Sequence, residues 1–539
     1  MKQLTLLLLI SVICATVTSL KILILMPVNS NSHYFTFKPL IEKLAERNHE
    51  VTFISPFTPK IPIKNLEYVT LTLNASEGPK GKFDEVEQFK PSFSFKDVDN
   101  MFGKHASGEF YIKTFTVFGF LNYSRITCDS YLNSPKMHQF IAEDRSYDLI
   151  LAEAFHTNCF LGFVQKYNAP LAVFTTSAPL VWYHSQFGLP YNPSYIPNLY
   201  SGFGVKMNFL QRIQNLIINT VHSYYFDNIQ EPVNYELAKK FFGDDLQDFE
   251  TTVSNATLFM VNSHFTIMGA RPLVPSVLEI GGVHIGPTKP VPKNIEKWIN
   301  ESKDGVIYFS MGSMIKGHTF PEEKRKIFLK AFGRLKQRVL WKWENETMPD
   351  KPDNVMIQKW MPQYDILCHP NVKAFIAHGG LLGTTEAVHC GVPVVVMPQF
   401  GDQHTNARAL EAGGGGVVLN FREADEEMVY NALKTVLDPE FNKKAKELSA
   451  RFRDRPMSPM DTAIYWIEYV ARHKGAHHMR TAAVGMPLYQ YLLLDVFGFL
   501  AVCTLSILFI GIYVTKLFFR LVMSMFSKSD KKQKKLKKN

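Results

Sequence analysis

WMPQYDILCHPNVKAFIAHGGLLGTTEAVHCGVPVVVMPQFGDQ, the stretch Trp360–Gln403, decides the fold. Its apolar run Ala374–Ala377 predicts a strand, and the turn His378-Gly379-Gly380 leads into a helix that starts near Gly383. A glycine-rich turn before a helix leaves backbone N–H groups unpaired, and the helix dipole favours negative charge there. The stretch therefore predicts an α/β domain with an anion site, although a His-Gly-Gly turn alone is a weak signal.

The residues around this stretch continue the α/β pattern. Apolar runs and helical spacing predict strands at Val306–Ser310, Val339–Trp343 and Val392–Met397, a helix at Pro321–Gln337 and a last amphipathic helix at Pro459–Arg472. The turn Ser310-Met311-Gly312-Ser313 also ends a strand and is expected to supply a second phosphate contact.

The first half of the chain shows the same alternation. A strand at Lys21–Pro27, a polar loop at Asn29–Ser32, a helix at Phe37–Arg47 and a strand at Val51–Ser55 form a βαβ unit, and further buried strands are predicted at Asp148–Ala152, Leu171–Thr175 and Leu258–Asn262. The aromatic region from about 90 to 130 has no clear period, which leaves two interpretations, the wall of an apolar pocket or ordinary core.

Proline and lysine residues at 286–296 predict a linker. We therefore expect two Rossmann-like, doubly wound domains, 20–285 and 297–490, which face a cleft lined by the C-terminal ends of their strands. The first domain would bind the acceptor substrate, and the second would carry the anion site and end in a return helix.

Both ends of the chain indicate membrane targeting. Residues 1–19 have the layout of a cleaved signal peptide, with a basic start, an apolar run and small residues. Residues 496–515 are free of charge and long enough to cross about 30 Å of hydrocarbon as a helix; a buried core helix is the alternative. Of the net charge of +10, +8 lies in the tail, 516–539, so the body offers no basic footprint for nucleic acid.

The charge distribution also predicts an orientation. Positive residues stay cytosolic, so a single-pass type I protein with a lumenal body and a basic cytosolic tail is expected. Lys535–Asn539 resembles a dilysine retrieval signal of endoplasmic reticulum membrane proteins, with a solvated polybasic tail as the alternative. Five sequons before the span agree with this topology: Asn74, Asn122, Asn255, Asn300 and Asn345.

Cysteine usage gives a negative prediction. Of six cysteines, Cys14 lies in the signal and Cys503 in the span. The others have no metal-ligand spacing, and we predict neither a disulfide framework nor a zinc site from them: Cys128, Cys159, Cys368 and Cys390.

Trp360–Gln403 closely resembles the nucleotide-sugar signature of the UDP-glycosyltransferases, the glucuronosyl- and glucosyltransferases of animals and plants. The resemblance covers nearly the whole chain, from Ser32-His33-Tyr34 to the basic tail, and Gly475–Asp495 is similar to the pre-membrane stretch of animal members. It implies a GT-B fold and transfer of a sugar from a UDP-sugar to a small lipophilic acceptor. Metal ions and cofactors are not expected, because the UDP-sugar is a co-substrate.

The resemblance also implies donor-binding roles. Trp360 would stack on uracil, Gln363 would contact the nucleoside, and Glu386 would hold the ribose hydroxyls. The remaining expected donor-binding residues are Ser313, His378 and Gly380 at the diphosphate, Asp402 and Gln403 at the sugar, and Arg271 near the donor's charged groups. Simple packing is the alternative for Trp360 and Arg271.

Leu382 departs from the family pattern, because many relatives have a small polar residue or Asn beside the phosphate. The Leu381-Leu382-Gly383 version resembles arthropod members, most of which use UDP-glucose. This favours glucose over glucuronate as the donor sugar.

His33 is the expected catalytic base. The family reaction is an inverting displacement, and an imidazole can accept the acceptor's proton near neutral pH. A carboxylate has to orient the ring. Relatives supply an Asp after the strand Asp148–Ala152, and the matching residue here is Glu153, whose longer side chain leaves the partnership with His33 open.

Three other patterns are set aside. Asp97-Val98-Asp99 could be a metal-binding motif but lies in an irregular aromatic region, and Gly413–Gly416 is more typical of a loop that ends a helix than of a nucleotide loop. His477 and His478 are adjacent and cannot share a metal from one helix face. A non-catalytic UDP-sugar- or lipid-binding protein of the same fold and a receptor-like ectodomain are the alternative functions, and a homo-oligomer is possible.

Overall fold

The computed structural model describes residues 19–59, 61–72, 92–102 and 118–536. Most of the predicted signal peptide and the last residues of the tail lie outside these ranges. The chain forms two compact units, Met1–Thr481 and Ala482–Asn539.

Thirteen strands are present in the described residues, and they build two parallel sheets. Their bounds are β1 Lys21–Leu25, β2 Glu50–Ser55, β3 Leu66–Thr70, β4 Leu149–Glu153, β5 Leu171–Thr175, β6 Phe259–Val261, β7 Val277–Glu279, β8 Val306–Ser310, β9 Arg338–Lys342, β10 Val355–Gln358, β11 Val372–Ala377, β12 Val394–Val396 and β13 Gly416–Val418. The first sheet has the order β3-β2-β1-β4-β5-β6-β7 and the second β10-β9-β8-β11-β12-β13. Both are the doubly wound arrangement that was expected.

The helices lie between these strands in the chain and after the last of them. Their bounds are α1 Asn31–Glu46, α2 Phe95–Phe102, α3 Phe118–Leu132, α4 Pro135–Ala142, α5 Gly162–Tyr167, α6 Phe209–Tyr225, α7 Glu231–Phe242, α8 Phe249–Ser254, α9 Phe265–Met268, α10 Lys293–Asn300, α11 Glu322–Gly333, α12 Gln363–Leu367, α13 Leu381–Cys390, α14 Gln403–Ala412, α15 Glu426–Leu437, α16 Pro439–Arg453, α17 Pro459–Arg472, α18 Leu488–Tyr491 and α19 Leu494–Leu536. A π-helical turn, Phe226–Gln230, joins α6 to α7.

Each sheet is covered on both faces because its inner strands are apolar throughout. Along β1, Ile22 and Ile24 pack into one core and Leu23 and Leu25 into the core on the opposite face, all at most 1% exposed. The β8 strand alternates in the same way between the two cores of the second sheet. Continuous apolar runs of this kind are typical of parallel strands buried between helix layers.

Two segments cross between the domains. The return helix α17 packs Ile464 and Ile467 into a core of the first sheet, although it follows the second domain in the chain. In the other direction, residues 92–102, which we call the strap, leave the first domain and insert Phe95 and Val98 into a core of the second. Asp99 of the strap forms an ion pair with Arg422 at 2.6 Å.

The strap resolves two open points about the sequence. For Phe95 and Val98 the ordinary-core interpretation holds, since they are 4% and 1% exposed; residues 103–117 of the same aromatic region lie outside the described residues. Asp97 accepts a hydrogen bond from the Ser94 backbone N–H, and Asp99 binds Arg422. The Asp97-Val98-Asp99 carboxylates thus have structural contacts.

Two predictions were wrong. His33 was expected near a loop ahead of a helix at Phe37, but α1 starts at Asn31, so His33 lies in its first turn. The polar residues after Ser30 suggested a loop, whereas polar residues are common where helices begin. The four cysteines between the predicted signal and the predicted span do pair, as Cys128–Cys159 and Cys368–Cys390, because the fold brings together residues 31 and 22 positions apart in the chain.

The second unit contains α18 and the long helix α19. Within α19, Leu494–Lys528 is long and apolar enough to cross a membrane, with a mean hydropathy of 2.4. The predicted span, 496–515, lies inside this helix. The helix also continues to Leu536, through most of the predicted tail, because Lys and Arg are good helix formers.

Candidate active site

The strand order of both sheets places the candidate site. The chain changes direction between β1 and β4 in the first sheet and between β8 and β11 in the second, and a crevice opens at the C-terminal ends of such strand pairs. His33 follows β1, and Glu153 ends β4. Ser313 follows β8, and His378 follows β11. The residues expected to carry chemistry therefore meet at these two points.

His33 and Glu153 are in direct contact. Nδ1 of His33 is hydrogen-bonded to Oε1 of Glu153. The Glu153 side chain is fully buried, and the His33 side chain is 14% exposed. Because an ionised carboxylate only accepts hydrogen bonds, the His33 proton has to be on Nδ1, which leaves Nε2 as an acceptor. The longer Glu side chain thus reaches the ring nitrogen that the usual Asp would reach.

Two further residues hold the His33 ring. Thr176, directly after β5, has its Oγ1 3.3 Å from Nδ1. The ring of Phe155 meets the imidazole edge-on, with a centroid separation of 4.9 Å. Neither residue was found from the sequence, because Thr176 lies 143 positions from His33 in the chain and Phe155 follows β4, so that both reach the ring only after the sheet forms. The contacts of Nδ1 with Glu153 and Thr176, together with the ring contact with Phe155, restrict the orientation of the imidazole.

The second domain presents a tight turn at the start of α13. A Cβ atom added to Gly312 would lie 2.4 Å from the His378 ring, and one added to Gly380 would lie 2.5 Å from it. Glycine at both positions therefore lets the two backbone turns close around His378. Burial lowers the pKa of His378 to about 4, and Lys342 adds to that effect, so the ring is neutral at pH 7.

Lys342 is a cation that the sequence did not reveal. It ends β9 and donates hydrogen bonds to the Gly312 carbonyl at 2.8 Å and to Glu344 at 3.1 Å. Because Gly312 packs against His378, this ammonium group lies beside the expected diphosphate site. A positive charge there adds to the N-terminal end of α13, where the helix dipole favours anions.

The residues expected to contact the nucleoside lie on two neighbouring helices and just before the first of them. Gln363, the first residue of α12, donates a hydrogen bond from Nε2 to Oε2 of Glu386 on α13 at 2.7 Å. Trp360, which precedes α12, is 66% exposed, so its ring face is free to stack. The disulfide Cys368–Cys390 joins the end of α12 to the end of α13. Burial raises the pKa of Glu386 to about 7, although the Gln363 hydrogen bond opposes the rise.

The two domains meet at the residues expected to hold the sugar. Burial raises the pKa of Asp402, while a hydrogen bond from Asn406 and, when its ring is protonated, His33 in the other domain oppose the rise. Gln403 accepts hydrogen bonds from the backbone N–H groups of Gln399 and Phe400, which leaves its NH₂ group for a ligand. His33 and Asp402 thus face each other across the cleft.

Arg271 belongs to the first domain, unlike the other residues expected to bind the donor. It lines a small cavity of the first domain with His184, Tyr191 and Tyr200. Burial lowers its pKa, and Glu279 opposes that effect. The cavity adjoins the sugar site, since burial and the Asp402 carboxylate both raise the pKa of Tyr200.

Two facing Rossmann-like domains, with the His33–Glu153 pair in the first and the turn around His378 in the second, define a protein of the GT-B glycosyltransferase fold. Solved structures agree on the fold. The calicheamicin glycosyltransferase CalG4 superposes with a TM-score of 0.55 at 17% identity, over 84% of this chain and 99% of that one. A glycosyltransferase of kitacinnamycin gives a TM-score of 0.52 at 16% identity, over the same shares of the two chains.

Sequence comparison then gives the family. Residues 21–532 match the family "UDP-glucoronosyl and UDP-glucosyl transferase", and the chain belongs to it. It is 40% identical to UDP-glycosyltransferase UGT5 of Dactylopius coccus, over 97% of both chains, and 33% identical to UDP-glucuronosyltransferase 2B13 of Oryctolagus cuniculus, over 91% of this chain and 92% of that one. The protein is therefore a UDP-glycosyltransferase, and its predicted resemblance to arthropod members is confirmed.

Proposed function

We propose that this enzyme transfers glucose from UDP-glucose to a hydroxyl group of a small lipophilic acceptor, with inversion at the anomeric carbon and without a metal ion. The contact between His33 and the buried Glu153, facing Asp402 across the cleft, is the observation that carries this proposal.

His33 acts as the general base. Nε2 takes the proton of the acceptor hydroxyl as its oxygen attacks the anomeric carbon, and the bond from that carbon to UDP breaks. The imidazolium that forms is stabilised by Glu153, which is fully buried and therefore acts at low dielectric. Thr176 helps to keep the ring in this orientation.

The leaving group is stabilised by the second domain. The negative charge that develops on UDP lies at the N-terminal end of α13, where backbone N–H groups point outward. Ser313, His378 and Gly380 would hold the diphosphate, with Lys342 beside them. These fixed dipoles and this cation supply the charge stabilisation that a bound metal ion would provide in a metal-dependent glycosyltransferase.

The donor is assigned from the groups around the sugar. Asp402 and the NH₂ group of Gln403 are suited to hydroxyls, and Leu382 offers no polar side chain toward the phosphate. A relative that is 38% identical over 541 residues carries the name UDP-glucosyltransferase 2. Both points favour glucose over glucuronate.

The enzyme would act in the lumen of the endoplasmic reticulum. Two disulfides in the body are expected only in an oxidising compartment. The apolar segment Leu494–Lys528 would anchor the chain in the membrane, with the basic tail in the cytosol. A membrane-anchored enzyme also meets the lipophilic acceptors that dissolve in the bilayer.

The test uses full-length enzyme in detergent, UDP-glucose and a panel of lipophilic phenols and alcohols. His33→Ala should abolish glucosyl transfer and keep UDP affinity within about twofold, because the base does not contact the nucleotide. His138→Gln, a change at an exposed histidine of the same domain, is the matched control and should be as active as wild type.

Retained turnover in His33→Ala would disprove the proposed mechanism. Faster transfer from UDP-glucuronate than from UDP-glucose would disprove the donor assignment and leave the mechanism standing. Loss of activity on treatment with a chelator would contradict the metal-free reaction.

A further inference from the structure

His284 lies where the chain passes from one domain to the other. Its neighbour Val283 is buried in a core of the first sheet, and Ile285 packs against a core of the second. Tyr364 then donates a hydrogen bond to the Gly286 carbonyl at 2.9 Å, which fixes the following residue to the second domain. The backbone on both sides of His284 is thus held in place, since its two neighbours pack into the cores of different domains.

The His284 ring is buried beside the predicted ribose site. Its side chain is 7% exposed, and among the described residues neither ring nitrogen has a hydrogen bond of good geometry, although a contact with the Leu382 backbone raises the pKa of the ring. Nε2 lies 3.9 Å from Oε1 of Glu386. Leaving a buried polar group unpaired costs about 1–3 kcal/mol, so such a group calls for a partner that the protein itself does not provide.

The chemistry of the pair suits a hydroxyl group. Burial lowers the pKa of His284 to about 4, although the Leu382 backbone counters part of that effect, so the ring is neutral and one nitrogen carries a hydrogen. Glu386 uses Oε2 for Gln363 and keeps Oε1 for a ligand. A hydroxyl oxygen about 2.8 Å from both Nε2 and Oε1 would donate to the carboxylate and accept from the ring.

We propose that His284 is a donor-binding residue that, together with Glu386, holds one ribose hydroxyl of the UDP-sugar. The proposal deepens the proposed function and rests on it, because it requires the ribose to lie at Glu386. It also gives the nucleotide a contact from the domain crossing, so that ribose binding is shared between the second domain and the segment that leads into it.

The experiment measures affinity for UDP, 2′-deoxy-UDP and 3′-deoxy-UDP by calorimetry on full-length enzyme in detergent. His284→Phe keeps a flat ring and removes both nitrogens. It should weaken UDP binding about three- to tenfold, which is the effect of losing one hydrogen bond. Binding of the deoxynucleotide that lacks the contacted hydroxyl should weaken less than about twofold. KM for UDP-glucose should rise by the same factor as the affinity falls, with kcat nearly unchanged.

Two variants complete the design. His284→Gln retains an N–H donor and should bind UDP within about threefold of wild type. His389→Phe is the matched control, because His389 is a nearby histidine whose ring packs against Tyr364 and Phe452; it should not change the preference for UDP over the deoxynucleotides. His284→Leu repeats the test if the Phe variant unfolds.

An unchanged UDP affinity in His284→Phe would overturn the proposal. So would an equal loss of affinity for UDP and for both deoxynucleotides, since that pattern indicates a structural role at the domain crossing. Wild-type enzyme that does not bind UDP at all would instead refute the proposed function itself.

Discussion

Replacing Glu153 by Gln should lower kcat about 10²- to 10³-fold and leave folding intact. The carboxylate is fully buried against His33, so its charge acts on the imidazolium of the transition state at an effective dielectric of about 20. Two unit charges about 4 Å apart then attract by roughly 4 kcal/mol. Gln keeps a carbonyl oxygen for Nδ1, so about 3–4 kcal/mol of this stabilisation is lost, which corresponds to the stated range of rates.

The stability of this variant should change by no more than about 1 kcal/mol. Oε2 of Glu153 has no hydrogen-bond partner among the described residues, so the new NH₂ group replaces an atom that was already unpaired. Removing a buried charge also offsets part of any loss. Low activity with normal stability would therefore mark a role in the reaction.

The assay combines three measurements on Glu153→Gln: kcat at saturating UDP-glucose, the melting temperature, and the shift of that temperature by UDP. Glu153→Asp restores the charge on a shorter side chain and should be intermediate in kcat. Glu143→Gln, a change at a partly exposed carboxylate of the same domain, is the control. A decrease in kcat smaller than about threefold would refute the reasoning. A larger decrease that is explained by lost stability or lost UDP binding would refute it as well.

Four further predictions concern the second domain. Burial raises the pKa of Glu386 to about 7. Because its ionised form accepts hydroxyl hydrogen bonds best, KM for UDP-glucose should fall as the pH rises through about 7. The variant Glu386→Gln should lose this pH dependence. The same raised pKa makes the folded state less stable as the pH rises from the ordinary value of 4.5 to about 7, which thermal unfolding would detect. The double variant Cys368→Ser and Cys390→Ser should lower stability by about 3 kcal/mol and weaken UDP binding severalfold, measured by thermal shift with and without UDP. Phe95→Ala should cost about 3–5 kcal/mol in denaturant unfolding, because this strap residue is 4% exposed in a core of the second domain; wild-type stability would contradict that burial.

The sequence predicted the inner strands of both sheets and missed the edges. All nine strands placed from apolar runs have a neighbour on each side, and the four that were missed are the edge strands β3, β7, β10 and β13. Edge strands here are short and half-exposed, as in β10, where only Val355 is buried. A strand without a continuous apolar run looks like a loop when only its own residues are considered.

The candidate site divides in the same way. Residues in one local motif, such as His378 and Gly380, could be assigned because the strand–turn–helix pattern is contiguous. Thr176, Lys342 and His284 could not, because each reaches the site only through sheet pairing or through the crossing between domains. The disulfides escaped prediction for the same reason, since their spacing carries no signal until the helices pack.

The strap and the return helix change what counts as a half of this enzyme. A chimera that exchanged everything before residue 286 with a relative would carry in a foreign strap and place it in the native core around Phe421, opposite the native Arg422. It would also set the native α17 against a foreign first sheet. Recombination that respects the packing has to keep residues 92–102 with the second domain and residues 459–472 with the first. The packing modules are therefore interleaved along the gene, and a single crossover does not separate them.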